Sequence, residues 1–247
     1  MPTNFLLLPR ELRDRVYHAL WAHTPGINVH GDKLKGHIAA WQDSYAQRNN
    51  ALSDLAPTPL WLLTCKQILK EAVQEFAFGG IWNFDVDAIP PLQGIQSPLS
   101  PAEARRLLCN FEVCFGQRAP SMSGVPSTNY APFPEEIAHF SQLLQYVGKS
   151  GSAQELTIRL VICPDLDDVQ GMDLSELGAA FTNTHLTKIS VTIHQCCSRK
   201  VRESLRESCA GEVKKLGALA MGTVTALVLE DNGDDIKFTI NHHRSLK

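Results

Sequence analysis

The chain reads as an α+β or α/β protein: a mixed central sheet of about six strands with helices on at least one face. Three observations predict this. Six short segments, at residues 81–86, 111–115, 156–163, 189–196, 226–230 and 236–241, alternate or run apolar and are rich in β-branched or aromatic residues. Helical patterns fall between them, and strands interleaved with helices imply a sheet covered on one face or both. At 247 residues and 44% hydrophobic content, the chain has enough apolar surface to bury a substantial core.

The first helix is predicted within residues 5–20. Pro9 suits a first helical position, where its missing N–H removes no bond, and Glu11 lies in the first turn, where the helix dipole favours negative charge. Leu8, Leu12, Val16 and Leu20 recur every four residues as one apolar stripe, with Arg10, Arg13, Asp14 and His18 pointing elsewhere. A stripe of this kind docks either on the chain's own core or on a partner. Docking on a partner requires Leu8, Pro9, Leu12 and Val16 to stay partly exposed.

Residues 24–57 mix glycines, asparagines and Pro57 with a short Ile38-Ala39-Ala40-Trp41 patch, and read as an irregular insertion holding at most one helix. A second helix follows, with Thr58 as N-cap, Pro59 in the first turn, and Trp61, Cys65, Ile68, Leu69, Ala72, Val73 and Phe76 on one face; Gly79-Gly80 ends it. Ser100-Pro101-Ala102-Glu103 has the pattern of a capping box and predicts a short helix to about Leu108. Residues 116–134, rich in Pro, Ser and Gly, read as a long loop. Pro134-Glu135-Glu136 opens a helix whose Ile137, Phe140, Leu144 and Val147 share a face before Gly148. A shorter helix covers residues 174–181. The last starts near Ser198 and carries Val201, Leu205, Val213 and Leu216, with Gly211 and Gly217 weakening its later part. The chain therefore divides into a helical region with a long insertion, residues 1–88, and a sheet-containing region, 89–247, packed on it as one continuous unit.

The formal charge of −3 gives no general basic field for nucleic acid. Residues 1–8 are apolar only briefly before a charged helix, and no stretch approaches the roughly 20 apolar residues of a membrane span. The expected compartment is cytoplasmic or nuclear, with no membrane partner. Seven cysteines, an odd number set mostly in apolar runs, fit reduced, buried thiols better than a disulfide framework.

Two motifs carry a family resemblance. Residues 5–20, Phe-Leu-Leu-Leu-Pro-Arg-Glu-Leu-Arg-Asp-Arg-Val-Tyr-His-Ala-Leu, resemble the opening helix of an F-box. Residues 60–86, with Leu62-Leu63-Thr64-Cys65-Lys66-Gln67 leading to Ile81-Trp82-Asn83-Phe84-Asp85-Val86, resemble the downstream half of fungal F-box-like proteins. The likeness covers about the first third of the chain, and the two motifs are separated by more residues than in a compact F-box. It implies F-box-like N-terminal helices before the sheet and an intracellular protein-interaction or recognition module. It also implies Leu8, Pro9, Leu12 and Val16 as the contact to a Skp-type ubiquitin-ligase adaptor.

The strands offer a second candidate site. If Trp82, Phe84, Val86, Phe111, Val113, Phe115, Leu156, Ile158, Leu160, Ile189, Val191 and Ile193 face the helices, the opposite face is polar. That face would carry Asn83, Asp85, Glu112, Cys114, Glu155, Thr157, Arg159, Ser190, Thr192, His194, Lys237, Thr239 and Asn241. Asp85, Glu112, Glu155, Arg159 and His194 are the candidate catalytic groups, with His194 able to titrate near neutrality against Glu112 or Glu155. A sheet with one face in water gives the same alternation without any site, and the two cases differ in whether that face is covered. An enzyme on this scaffold is the alternative to an interaction module. One such enzyme is an aminoacyl-tRNA-dependent, arginine-containing cyclodipeptide synthase, with Arg199, Arg202 and Arg206 on the last helix toward tRNA.

Other chemistry is absent from the pattern. Cys196 and Cys197 are adjacent, no Cys-x-x-Cys occurs, and His242-His243 stands near the terminus, so neither a metal nor any other cofactor is predicted. Gly148-Lys149-Ser150 mimics the tail of a P-loop but follows a helix and lacks the glycine five residues earlier. No Gly-x-Ser-x-Gly or Gly-x-Gly-x-x-Gly occurs.

Overall fold

The computed structural model describes residues 5–24, 27–28, 37–40, 60–86, 104–115, 129–149, 151–162, 171–181, 184–195, 199–222, 226–232 and 235–241. Four α-helices are seen among them: α1 (Arg10–Ala22), α2 (Lys66–Gly79), α3 (Pro134–Gly148) and α4 (Arg199–Met221). Ten strands form one sheet: β1 (Ile27–Asn28), β2 (His37–Ala40), β3 (Ile81–Asp85), β4 (Arg106–Phe115), β5 (Asn129–Pro132), β6 (Glu155–Ile162), β7 (Gly171–Met172), β8 (Lys188–Gln195), β9 (Leu227–Asp231) and β10 (Asp235–Asn241). Short 3₁₀ segments lie at Phe5–Leu7, Leu60–Leu63 and Ser175–Phe181.

The sheet is mixed, as the alternating pattern predicts. Its order is β1-β2-β3-β4-β6-β8-β10-β9, with β5 paired to the end of β4 and β7 to β5. β3, β4, β6 and β8 run parallel and step in one direction across the sheet; β1 and β2 on one flank and β10 and β9 on the other are antiparallel. All six strands expected from the sequence are present. The boundary proposed near residue 88 does not divide the sheet, because β3 pairs directly with β4.

One hydrophobic cluster holds the layers together. It takes one parity of each central strand, including Trp82, Phe84, Leu107, Cys109, Phe111, Leu156, Ile158, Leu160, Ile189, Val191, Ile193, Ile236, Phe238 and Ile240. The helices supply Tyr17, Trp21, Phe76, Phe140, Leu143, Leu144, Val147, Leu205, Val213 and Leu216 to the same cluster. Aromatic rings meet edge-on through it, Phe140 with Phe111 at 5.2 Å and with Phe181 at 6.0 Å, a geometry the ring quadrupoles favour. The helices thus cover one face, and the other parity is left for a site.

Several local expectations need correction. Pro9 caps α1 from just outside it; its carbonyl accepts from Leu12 N at 3.1 Å and Arg13 N at 3.2 Å. Trp61 does not belong to α2: the chain makes a 3₁₀ turn over Leu60–Leu63 and restarts at Cys65, whose Sγ accepts from Ile68 N at 3.4 Å and so caps the helix. Thr58 and Pro59 lie outside the described residues, as do Ser100 to Glu103. No helix runs to Leu108. β4 already begins at Arg106, five residues before the expected strand, because it is flanked by parallel partners on both sides and a helix would break both ladders. The insertion at 24–57 contributes two short strands, β1 and β2, rather than a helix among its described residues, and β5 falls within the loop expected at 116–134.

Where the sequence punctuates helices, the structure agrees. Pro134 opens α3, and the Glu136 carboxylate accepts from Phe133 N at 3.1 Å, closing the first turn. Gly80 ends α2 beneath the Phe76 ring; a Cβ there would stand 2.5 Å from ring carbons, so only glycine fits. α4 runs unbroken through Gly211 and Gly217, its Leu205, Val213 and Leu216 buried in the core.

Candidate functional site

The polar parity of the strands forms a recess of about 410 Å³ on the sheet face away from the helices. Register aligns its side chains in rows. Arg106, Glu155 and Lys188 are cross-strand neighbours, as are Leu108, Thr157, Ser190 and Thr239, and then Asn110, Arg159, Thr192 and Lys237. A further row holds the Glu112 position, Val161, His194 and Asp235. Short side chains at the centre (Ser190, Thr192, Thr239) are buried, while the longer Arg106, Glu155, Lys188 and Lys237 stand partly exposed around them, which makes the face concave.

Its groups are tied to one another. Glu155 Oε2 lies 3.6 Å from Arg106 Nε and 3.5 Å from Lys188 Nζ, and Lys237 Nζ lies 3.5 Å from Glu230 Oε2. His194 Nδ1 is 2.8 Å from Asp235 Oδ1, and the Ser190 and Thr239 hydroxyls are 3.2 Å apart. Arg159 is buried. So is Asn110, whose Nδ2 donates to Phe84 O at 3.0 Å and also to Asn83 Oδ1, while its Oδ1 has no partner among the described residues. Glu155, Arg159 and His194 thus share this face as the alternation predicts. His194 is paired with Asp235; of its two expected partners, Glu155 is held by Arg106 and Lys188. Asp85 and Glu112 occupy face positions by register, but their side chains lie outside the described set.

Arg106, Leu108, Lys188 and Asp235 line the recess and are missing from the sequence prediction. All four lie where β4, β8 and β10 begin earlier than the apolar alternation indicates, and extending each strand by period two recovers them.

Two of the basic residues of α4 are ion-paired. Arg202 is ion-paired with Asp231, and Lys215 Nζ lies 2.6 Å from Glu212 Oε1. Arg206 is exposed, and the Arg199 side chain lies outside the described residues. Among the described residues no group of His, Cys, Asp or Glu is placed to hold a metal. Cys109 and Cys209 are buried in the core, where burial raises both thiols, that of Cys209 to about 12, and removes them as nucleophiles.

The N-terminal helices form the second candidate surface. Despite the insertion between them, α1 and α2 pack directly: Trp21 meets Phe76 at 4.7 Å, and its Nε1 donates to Ala72 O at 2.9 Å. The inward face of α1 differs from the apolar stripe expected. Tyr17 and Trp21 are buried, and Arg13, expected to point away, enters the interface. Its Nε and Nη2 each reach Glu71 at 2.8 Å, and its Nη1 donates to the carbonyls of Leu8 and Leu6. Tyr17 Oη and Gln67 Nε2 also donate to Glu71, each at 3.0 Å. Four donors on one buried carboxylate, Arg13 above all, pull Glu71 down to about 2; burial and this carboxylate together push Tyr17 up to about 12.

With polar groups turned inward, apolar ones are left outside. Leu12 is 44% exposed and Val16 39%, Pro9 is exposed and Leu8 half-buried, while Leu7, Leu60 and Leu63 stand still further in solvent. Only Leu20 of the expected stripe packs against the core, and it does so partly.

No protein-family model, no curated protein and no solved structure matches the chain. Among the described residues, no helix is long and apolar enough to cross a membrane.

Proposed function

We propose that this chain is an F-box-like protein-interaction module, whose N-terminal helix pair docks on a Skp-type ubiquitin-ligase adaptor and whose concave sheet face receives a second partner. The observation that supports docking is the inverted burial of α1: Leu12 and Val16 face solvent, while Arg13 occupies the helix interface. A fully buried Leu or Val side chain contributes about 1.5–3 kcal/mol, so two of them left in water favour association once a partner covers them. The packing of α1 against α2 keeps the two motifs of the resemblance on one body.

The test is a pull-down of the purified adaptor by the full chain, beside a Leu12→Glu, Val16→Glu double variant of unchanged melting temperature. The expected result is capture by the parent and loss of capture by the variant. No capture by the parent, or equal capture by both, would sink the adaptor reading.

A second reading is favoured by the recess itself. The paired His194 and Asp235 stand on the face beside Lys237 and the buried Arg159, an arrangement suited to acid–base chemistry on a charged ligand. An aminoacyl-tRNA-dependent cyclodipeptide synthase would in addition need the basic α4 face, and there Arg202 is engaged by Asp231. Incubation with aminoacyl-tRNA and detection of released dipeptide by mass separates the two readings; product lost in His194→Ala would favour the enzyme.

A further inference from the structure

A second cavity, of about 570 Å³, lies at the opposite end of the strands from where β4 and β6 finish, between α2 and the segments entering those two strands. Its lining includes Arg10, Gln74, Phe78, Arg105, Ser152 and Gln154; no described lining residue is a carboxylate. The volume is that of a small-molecule site.

Arg105 lines this cavity as its free cation among the described residues. Its guanidinium carbon stands 3.9 Å from the centroid of the Phe78 ring, and Phe78 is 57% exposed, so the stacked pair sits at the surface. Stacking on a ring fixes the plane of a guanidinium while leaving its N–H edge to meet a planar or tetrahedral oxyanion with two parallel hydrogen bonds. The backbone beneath is held too: Arg105 O accepts from Gln154 N and Glu155 N, both at 2.9 Å. Gly151, at φ +64°, turns the chain into the cavity wall, and its N–H bonds Gly148 O at 3.1 Å.

Among the described residues, no carboxylate forms an ion pair with Arg105. The carbonyl of Gly79, at the negative end of α2, accepts from Arg106 Nη1 at 3.1 Å and so is answered by another residue. Arg10 is bonded to Asp14 at 2.5 Å and lies 3.7 Å from Glu71, which makes it a wall rather than the anchor. Ser152 and the amides of Gln74 and Gln154 add neutral hydrogen-bonding groups.

We propose that this cavity is an oxyanion site that binds a small molecule through a carboxylate or phosphate group held by Arg105. It differs from a P-loop: Gly148 ends a helix, and the charge comes from a stacked arginine. The site uses Arg10, Gln74 and Phe78 of the helix pair but neither Leu12 nor Val16, and it shares no lining residue with the recess.

The test is calorimetric titration of the full chain with sodium phosphate and, separately, sodium succinate, at constant ionic strength against a sodium chloride baseline. The expected result is saturable one-to-one binding of at least one anion. R105Q should weaken it by about tenfold or more, and R105K, which keeps the charge but loses the fork, should fall between. Phosphate as the tighter ligand assigns a phosphorylated molecule, and succinate a carboxylated one. F78L, which removes the ring that holds the guanidinium, should weaken binding severalfold and serves if R105Q fails to fold. Saturation by neither anion, or binding by a folded R105Q or F78L as tight as the parent's, overturns the proposal.

Discussion

Arg13 and Glu71, 58 positions apart, meet through two hydrogen bonds of 2.8 Å and join α1 to α2. Side-chain exposures of 12% and 8% put this pair in the helix interface, unlike the ion pairs elsewhere on the surface. Tyr17 and Gln67 complete the carboxylate's shell, and the third arm of Arg13 ties down the chain ahead of the helix.

Breaking that pair should therefore cost far more than breaking a surface one. Glu71→Gln or Arg13→Gln is expected to destabilise the fold by about 3 kcal/mol, because either leaves a buried group without its partner. Urea unfolding at neutral pH measures this. A loss below about 1 kcal/mol would place the pair with exposed ion pairs.

The same carboxylate sets an acid limit. Its pKa is near 2 in the folded chain against an ordinary 4.5, so its contribution is fully present above about pH 4.5 and is lost as pH falls toward 2. The parent should lose stability across that window more steeply than Glu71→Gln. Melting curves at stepped pH compare the two, and equal slopes would contradict the assignment.

Glu155→Ala on the sheet face provides the contrast. Its bridges to Arg106 and Lys188 are 3.6 and 3.5 Å long between side chains some 40% exposed. The expected cost is under about 1 kcal/mol, read from the urea midpoint. A larger loss would mean that the recess is a structural core rather than a site.

Two glycines should respond unequally to alanine. At Gly80 the new methyl would meet the Phe76 ring at 2.5 Å inside the core, costing about 1–3 kcal/mol by overpacking. At Gly178 it would meet only Leu219 Cδ1, the end of an exposed side chain that can swing aside, so the expected change is within about 0.5 kcal/mol. Thermal melts of Gly80→Ala and Gly178→Ala decide the matter.

The sheet was legible in the sequence because alternation is a local signal, and each of the six long strands carries it. Thr157, Arg159, Ser190 and His194 could be placed on one face for the same reason. The start of β4 is hidden because the adjacent Leu107 and Leu108 break the alternation; the strand state of 106–110 comes from β3 and β6, which no local window contains. The inward turn of Arg13 was illegible for a stronger reason. Apolarity assigns the core face of α1 to Leu12 and Val16, whereas the actual face is set by an acid 58 residues away and by Tyr17 and Trp21, whose polar atoms needed acceptors. Neither Arg105 nor Phe78 forms a recognisable motif with the other, since 27 residues separate them.

The strand order has a consequence for how the chain is assembled as it is made. From β1 to β4, and then to β6 and β8, each strand of the main row finds its neighbour already synthesised, so the sheet can grow edge by edge behind the ribosome. The last two invert this: β9 is made first, yet it reaches the sheet only through β10, which lies between it and β8. Until Asn241 has emerged, Leu227 and Leu229 have no strand to bring them to the core. The final hairpin must arrive as a unit, and a chain stopped short of β10 would expose the edge of β8.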